Sequence, residues 1–293
     1  MIQWYPGHMA KAKRILKEDL KLVDIVIEAA DARVPLSSQN PDLRKLINEQ
    51  TKVIVLNKKD LADPKYNKKW IKYFENETDE DAVLLNSLTG EGVSELKSIL
   101  NNTYDRIAAK MAQKGRNPRR LRAMIIGIPN VGKSALINLL AGSNITTIGN
   151  KPGVTRGRQW VNVSKKIRLL DTPGILWPKF SDEDMAYKLA LTGAVDNDIF
   201  DFELAAYKLI QFIVNINEEI LLDTYGLDFL EAHPYDILAD IGRKRGCLMT
   251  GGRVDRNRAA GIVINDFRDG KLGEITLEKP AEAAKLKVEN QDE

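Results

Sequence analysis

The sequence predicts an α/β domain with a parallel β-sheet, followed by a smaller and mostly α-helical domain. Between residues 24 and 170, short apolar segments alternate with amphipathic helical segments, which is typical of a sheet with helices on both faces. From residue 182 to residue 245 the apolar residues recur at helical spacing instead. We therefore predict two domains, at residues 1–178 and 179–293.

Each predicted element follows from the spacing of its apolar residues and from the turn residues beside it. The predicted strands cover residues 24–30, 52–56, 82–85, 122–126, 159–163 and 167–170. The predicted helices of the first domain cover residues 9–22, 41–49, 66–75, 93–112 and 135–141. In the second domain, residues 259–267 fit a helix or a strand equally well, and the polar residues 281–293 are expected to fray.

The composition argues against a membrane or secreted protein. No apolar run approaches the about 18–20 residues of a membrane-spanning helix, and the first residues lack the pattern of a signal peptide. The single cysteine, Cys247, cannot form an internal disulfide, which fits a reducing cytoplasm. The net charge of +3 does not identify a nucleic-acid-binding protein. Two basic segments, residues 114–122 and 242–258, are compatible with RNA phosphates, although each fits a solvated surface equally well.

Residues 127–134, Gly-Ile-Pro-Asn-Val-Gly-Lys-Ser, match a phosphate-binding loop. They follow a predicted strand and precede a predicted helix, which is the context that this motif requires. The glycines allow backbone N–H groups to surround phosphate oxygens. Lys133 is expected to reach the β- and γ-phosphates, and Ser134 to bind Mg²⁺. The predicted nucleotide contacts of this loop are Asn130, Val131, Gly132, Lys133, Ser134 and Ala135.

A motif that reads the base follows the second predicted strand. It consists of Asn57, Lys58, Lys59 and Asp60, at a strand end where α/β sheets bind ligands. Asp60 could accept hydrogen bonds from N1–H and the 2-amino group of guanine, donors that adenine does not present there. Asn57 would brace the loop, and the stem of Lys58 could cover the ring.

The next strand is followed by Asn86 and Ser87, in a loop that resembles the segment whose backbone N–H meets the guanine O6 atom. Short motifs such as these also arise by chance. Their occurrence together, each after the right strand, does not, and it predicts a guanine-nucleotide site.

Two more positions complete the predicted phosphate and magnesium site. Asp171 and Gly174 lie in Asp-Thr-Pro-Gly, where the aspartate would reach Mg²⁺ through water and the glycine N–H would meet the γ-phosphate. Thr155 is the candidate second Mg²⁺ ligand, and its alternative interpretation is an ordinary loop threonine. In the usual order of these motifs the phosphate loop comes first. Here the base motifs come first, so the sequence predicts a P-loop GTPase fold with a circularly permuted motif order.

This rotated order occurs together with three distinctive segments, residues 4–9 (Trp-Tyr-Pro-Gly-His-Met), 31–35 (Asp-Ala-Arg-Val-Pro) and 174–178 (Gly-Ile-Leu-Trp-Pro). The combination closely resembles the bacterial ribosome biogenesis GTPase A family, over nearly the whole chain. The resemblance implies a cytoplasmic, circularly permuted GTPase that is a monomer off the ribosome and has no membrane partner. It implies that the protein binds GTP, GDP and the rRNA of the large (50S) ribosomal subunit, acts late in its assembly, and is stimulated by it.

The catalytic prediction comprises His8, Lys133 and Thr155. Ile175 occupies the position where many small GTPases place a glutamine that orients the attacking water, and isoleucine cannot do this. His8 is the candidate replacement, and its alternative interpretation is a surface histidine in an N-terminal loop. Asn130 matches the position where cation-dependent GTPases hold a monovalent ion, which predicts K⁺ beside the phosphates. Alternatively, Asn130 only shapes the loop.

Two other functions are compatible with the motifs. One is a GTPase of tRNA modification or metal transport, since these proteins can share the Pro-Asn-x-Gly-Lys loop. The other is a GTP-binding scaffold with negligible turnover, because Ile175 replaces the glutamine. Co-sedimentation with ribosomal particles separates the first alternative from a ribosomal role, and GTP turnover separates the second.

Overall fold

The six-stranded sheet of the first domain has the order β3-β2-β1-β4-β6-β5. The computed structural model describes residues 14–40, 46–47, 50–143, 159–172, 183–230 and 233–283. The strands are β1 (Ile25–Asp31), β2 (Thr51–Asn57), β3 (Asp81–Leu85), β4 (Leu121–Gly127), β5 (Gln159–Asn162) and β6 (Ile167–Asp171). All neighbouring strands are parallel except β5 and β6. These two are antiparallel because the few residues between them form a hairpin, which is too short for a crossover.

The described helices of the first domain lie where the apolar spacing predicts them, whereas the predicted helix at residues 41–49 lies mostly outside the described residues and stays a prediction. Those of the first domain are α1 (Pro64–Glu77), α2 (Val93–Gln113) and α3 (Lys133–Ala141), and residues 14–20 are also helical. Those of the second domain are α4 (Glu183–Leu191), α5 (Phe202–Asn217), α6 (Glu219–Tyr225), α7 (Pro234–Lys244) and α8 (Arg256–Arg268). The ambiguous residues 259–267 are therefore helical, and the side chain of Asp255 caps that helix by accepting from the N–H of Arg258.

Helices cover both faces of the sheet, as the alternating pattern predicts. Leu96 and Leu100 of α2 and Leu136 of α3 pack against one face. Trp70 and Phe74 of α1 pack against the other. Every residue of β1 is buried, because a central parallel strand is enclosed from both sides, and its two acidic residues, Glu28 and Asp31, form ion pairs. The prediction of an α/β fold with a circularly permuted motif order is confirmed.

The second domain packs its helices around one apolar core. Helices α5, α7 and α8 supply most of it, with Leu209, Ile213, Ile237 and Val263 among the fully buried side chains. Among the described residues, no helix combines the length and the apolarity needed to cross a bilayer. The predicted boundary at residues 178 and 179 lies outside the described residues and stays a prediction.

The segment that follows α8 returns to the first domain. The N–H of Ile275 donates to the carbonyl oxygen of Leu61 (3.0 Å), and the N–H of Leu277 donates to that of Arg33 (2.8 Å). The indole N–H of Trp70 donates to the carbonyl of Glu278 (3.2 Å).

Residues 280–283, at the end of this segment, are helical, and Ala283 is buried. Residues 281–283 are thus ordered, contrary to the prediction, since the backbone of the residues before them is hydrogen-bonded to the sheet domain. Residues 284–293 lie outside the described residues.

Candidate nucleotide site

The predicted site residues lie at one edge of the sheet. Asn57 ends β2, Asp171 ends β6, and Gly127 ends β4, while Asn86 directly follows β3. These strands are parallel, so their carboxyl ends share this edge. The strand order also reverses between β1 and β4, which is where open α/β sheets form a ligand crevice. The phosphate-loop motif follows β4, directly beside that point.

Two glycines of the phosphate-loop motif are required by their surroundings. A Cβ atom on Gly127 (φ 155°) would lie 2.4 Å from the carbonyl oxygen of Ala29. A Cβ atom on Gly132 (φ 98°) would lie 2.2 Å from the side-chain nitrogen of Asn57. Both separations are far below van der Waals contact, so no residue larger than glycine fits at either position without displacing its neighbours. Helix α3 begins directly after Gly132, and its N-terminal N–H groups favour an anion there.

Asn57 joins the base motif to the phosphate loop. Its side-chain nitrogen donates to the carbonyl oxygen of Val131 (2.7 Å) and to the hydroxyl of Ser87 (3.1 Å). Its side-chain oxygen accepts from the N–H of Ser87 (3.0 Å). One buried amide thus fixes three loops that lie far apart in the sequence. The order of the motifs along the chain is rotated, and the amide nevertheless brings them together.

The other three residues of the base motif form a tight turn. Lys58 has a left-handed backbone (φ 58°), and its ammonium lies 2.9 Å from the carboxylate of Asp31. Lys59 forms an ion pair with Glu91. Asp60 lies in a short 3₁₀ turn, and its side chain is exposed. The carboxylate of Asp60 is thus accessible to a base at this edge of the sheet.

The loop after β3 is shaped by its own asparagine. The side-chain oxygen of Asn86 accepts from the N–H groups of Leu88 (2.9 Å) and Thr89 (3.2 Å). The loop is closed by the N–H of Asn86, which donates to the carbonyl of Glu91 (2.9 Å). Buried Asn86 therefore holds the loop backbone, and Ser87 is the residue that contacts Asn57.

Lys133 and Asp171 form the charged floor of the phosphate loop. The ammonium of Lys133 is buried and donates to the carbonyl of Ile128 (2.7 Å). Burial lowers the pKa of Lys133 to about 8, against the opposing effect of Asp171. Burial also raises the pKa of Asp171 to about 6, against the opposing effects of Lys133 and of the N–H of Thr172. Burial disfavours the charged form of each group, so an added anion would stabilise charged Lys133 and an added cation would stabilise charged Asp171.

The donor set fits Mg²⁺. Oδ1 of Asp171 is buried and has no hydrogen-bond partner among the described residues, so it can accept from a metal-bound water. Ser134 lies in the first turn of α3, beside the loop. Residues 14–40, 46–47, 50–143, 159–172, 183–230 and 233–283 contain no group of three or more His, Cys, Asp and Glu side chains suited to a metal. A hydroxyl, one carboxylate, waters and phosphate oxygens suit a hard cation instead.

Three predicted positions, His8, Thr155 and Gly174, lie outside the described residues, as does Ile175.

Several known proteins are similar to this chain. A family model described as 50S ribosome-binding GTPase matches residues 122–238. A ribosome biogenesis GTPase A from Bacillus cereus is 44% identical over 286 residues, covering 96% of this chain and 95% of that relative. Another from Thermotoga maritima is 33% identical and covers 98% of each chain. The chain belongs to the ribosome biogenesis GTPase A family. It is therefore a GTPase, which converts GTP to GDP and phosphate.

Solved structures agree with this family. A GDP-bound YlqF is 28% identical, with a TM-score of 0.65 over 92% of this chain and 100% of that chain. A GNP-bound YlqF from T. maritima is 31% identical, with a TM-score of 0.64 over 92% and 98%. The matched residues 122–238 begin at the strand before the phosphate loop and leave the base motif outside. In this chain the base motif thus precedes the part that the family model matches.

The helical domain contacts the phosphate loop in a way that the sequence did not predict. The side-chain nitrogen of Asn130 donates to the carbonyl of Gly193 (2.7 Å), in the turn after α4. Ile128 and Val131 of the loop pack with Leu189 at the end of α4. A monovalent cation would bind the amide oxygen of Asn130 and not its nitrogen, so the contact with Gly193 is compatible with a K⁺ site. No sequence signal marks Gly193.

Proposed function

We propose that this chain is a GTP-hydrolysing switch that acts in the late assembly of the large (50S) ribosomal subunit. The observation that carries the proposal is the joining of the base motif to the phosphate loop through Asn57, which builds one guanine-nucleotide site from rotated motifs. The partner follows from the relatives, which are named ribosome biogenesis GTPase A, and from the matching family description of a 50S ribosome-binding GTPase.

The nucleotide lies along the carboxyl edge of the sheet in this proposal. Asp60 accepts hydrogen bonds from guanine, and the N-terminus of α3 with Lys133 holds the phosphates. Ser134 and Thr155 would ligate Mg²⁺, and Asp171 would hold it through water; the bound ion would neutralise phosphate charge. The oxygen of Asn130 contributes to a K⁺ site. Gly174 meets the γ-phosphate, and Asn86 and Ser87 complete the base loop.

Hydrolysis requires a group that orients water, and we assign this role to His8. Ile175 cannot supply it, since its side chain has no hydrogen-bonding atom. A water-orienting group acts in the transition state, so His8→Ala should lower kcat and leave nucleotide affinity unchanged. Equal rates for the variant and the wild type, measured with large subunits present, would remove His8 from the mechanism.

The helical domain carries the surface that we assign to rRNA. Helix α7 ends in the exposed basic residues Arg243, Lys244 and Arg245. A hairpin follows. It is closed by a hydrogen bond from the N–H of Met249 to the carbonyl of Arg253 (2.7 Å) and by an antiparallel β-bridge between Leu248 and Val254. Exposed Arg253, Arg256 and Arg258 extend the basic surface to the start of α8. We call residues 243–258 the basic hairpin.

The bound nucleotide can affect the position of the basic hairpin through the contacts between the phosphate loop and α4. The phosphate loop touches the end of α4 through Ile128 and Val131, and Asn130 bonds to the turn that follows. A change in the conformation of the phosphate loop would therefore alter its contacts with the helical domain, which carries the basic hairpin. The ligand can shift the domain only by its difference in affinity for the two arrangements.

Sedimentation with purified large ribosomal subunits tests the proposal. We expect tighter binding with a non-hydrolysable GTP analogue than with GDP, and faster GTP turnover when subunits are added. Removing Arg253 and Arg256 should reduce the salt dependence of binding by about one unit of slope per phosphate contact. Removing the exposed Lys68 and Lys72 of α1 is the charge-matched control and should change little.

Two results would contradict the proposal. Equal occupancy with GDP, with the GTP analogue and without nucleotide would exclude gating by nucleotide. Turnover that is unchanged by large subunits would exclude stimulation. The proposal also includes a cytoplasmic location and a monomeric state off the particle. Analytical ultracentrifugation of the isolated protein measures the oligomeric state directly.

A further inference from the structure

A buried ion cluster anchors one residue of the base motif, and its other two members have no role in the proposed chemistry. Its members are Asp31 and Arg33, from the Asp-Ala-Arg-Val-Pro segment, and Lys58 from the base motif. We propose that Asp31 is a positioning residue for guanine binding, which acts by holding Lys58, and that Arg33 connects it to the helical domain. This inference rests on the proposed role of the base motif.

The geometry of the cluster joins two strand ends. Asp31 ends β1 and is paired in register with Asn57, which ends β2 and precedes Lys58. One oxygen of Asp31 accepts from Nη2 of Arg33 (2.9 Å) and also lies 2.9 Å from the ammonium of Lys58. The other oxygen accepts from Nε of Arg33 (2.9 Å). Arg33 therefore fixes the carboxylate by a two-pronged contact, and the carboxylate fixes Lys58.

Because the cluster is buried, its charged groups shift the pKa values of one another. Asp31 and Arg33 are each 1% exposed, whereas the side chain of Lys58 is 24% exposed. Burial alone raises the pKa of Asp31, but the two cations hold that pKa well below its usual range. Burial lowers the pKa of Lys58, and Asp31 opposes this effect. A carboxylate that stays charged at any neutral pH is a permanent anchor for Lys58.

Lys58 requires such an anchor because of its backbone. It is one of the non-glycine residues with positive φ, a conformation that is strained for residues other than glycine. The chain turns at Lys58 into the 3₁₀ segment that carries Asp60. In this proposal, holding the ammonium at Asp31 orients the methylene stem for contact with the base. Loss of the anchor should therefore loosen both the stem and the turn.

Arg33 extends the cluster into the helical domain. Its Nη1 donates to the carbonyl of Phe267 near the end of α8 (3.2 Å), and its guanidinium lies 4.8 Å from the centre of that ring. Arg268, the next residue, donates to the carbonyls of Ala190 (2.8 Å) and Leu191 (3.0 Å) at the end of α4. The ion cluster is thus linked through the end of α8 to the end of α4, and the turn after α4 contacts the phosphate loop through Asn130.

Isothermal titration calorimetry of Asp31→Asn, Lys58→Ala and the double variant tests the inference. We expect each single variant to bind GDP and a non-hydrolysable GTP analogue about tenfold more weakly, about the effect of losing one charge-assisted contact. The ratio of the two affinities should stay as in the wild type, because the lost contact is at the base end. The double variant should be no more than about twofold weaker than Lys58→Ala, because Asp31 acts through Lys58.

Glu28→Gln is the matched control for damage to the strand. Glu28 lies in the same strand, is also 1% exposed, and pairs with a buried lysine, Lys52 (2.7 Å), away from the base motif. We expect it to lose stability but to bind both nucleotides like the wild type. If it weakens binding as much as Asp31→Asn does, a positioning role for Asp31 is refuted.

Two further outcomes overturn the inference. One is wild-type affinity in Asp31→Asn, and the other is a loss in the double variant equal to the product of the single losses. If Asp31→Asn does not fold, Lys58→Ala decides, since it leaves the contact between Asp31 and Arg33 intact. Wild-type affinity in that variant refutes the inference. Asp60→Asn distinguishes the proposals, because an unchanged guanine preference there refutes the base motif itself.

Discussion

Helix α3 carries a glycine at each end, and substituting each by alanine separates backbone strain from steric conflict. Gly132 precedes the helix with φ 98°, and Gly142 follows it with φ 67°. A Cβ atom on Gly142 meets nothing within 4 Å. A Cβ atom on Gly132 meets the side chain of Asn57 at 2.2 Å and the hydroxyl of Ser87 at 3.2 Å. The two substitutions are chemically identical and differ in what they displace.

The expected magnitudes follow from these surroundings. Gly142→Ala should cost only the left-handed backbone penalty, about 1 kcal/mol in the free energy of unfolding. Gly132→Ala carries a similar penalty and must also displace the Asn57 amide. That amide makes three hydrogen bonds, to Val131 and twice to Ser87. At about 1 kcal/mol each, their loss adds about 3 kcal/mol, for a total of about 4 kcal/mol.

Urea denaturation measures the stability difference, and calorimetry with GDP measures the functional one. We expect Gly132→Ala to lower nucleotide affinity by more than about tenfold, because Asn57 joins the base loop to the phosphate loop. Gly142→Ala should bind like the wild type. Equal unfolding midpoints and equal affinities for the two variants would refute the reasoning, since the Asn57 contacts would then have no measurable weight.

Three further predictions follow from the described contacts. Asp60→Asn should weaken GTP binding by at least about 2 kcal/mol and strengthen binding of xanthosine triphosphate, as measured by calorimetry. Folding raises the pKa of Asp171 from 3.8 to about 6, so its stabilising effect is present below pH 3.8 and lost as the pH rises through about 6. Asp171→Asn should therefore raise Tm at about pH 7 but not below about pH 4, while weakening Mg²⁺-dependent nucleotide binding. Glu278→Ala should destabilise the protein by about 3 kcal/mol in urea denaturation, because the N–H groups of Leu36 and Ser37 lose their buried acceptor.

Much of the fold could be predicted because its signals are local. Strands β1, β2 and β4 are buried on both faces, so each is predominantly apolar rather than alternating, despite at least one charged residue in each. The phosphate loop combines a glycine spacing with a strand before it and a helix after it. The motif residues then meet at one edge because parallel strands share their carboxyl ends. The pairing of Asn57 with Val131 follows from that topology, although the sequence does not display the hydrogen bond itself.

Other contacts could not be predicted, because they join residues that are far apart in the chain. Arg33 bonds to Phe267, 234 residues later, and Trp70 bonds to Glu278, 208 residues later. The segment after α8 is too short and irregular to show a helical or strand pattern in the sequence. It is fixed by its apolar side chains, which join the core of the helical domain, and by backbone hydrogen bonds to the first domain. A residue such as Glu278 has no pattern of its own, and its burial depends entirely on that partner surface.

The helical domain touches both halves of the proposed nucleotide site. On the phosphate side, Asn130 bonds to the turn after α4. On the base side, Arg33 bonds to the end of α8, and Arg268 joins that end to α4. A switch needs a difference in free energy between its two arrangements, and a tenfold change in particle affinity needs about 1.4 kcal/mol. GTP and GDP present the same base, so the difference between them must arise at the phosphate side. The contacts of Arg33 with the helical domain should then be the same with GTP and with GDP. Any change in the orientation of the helical domain would therefore arise from the contacts of the phosphate loop.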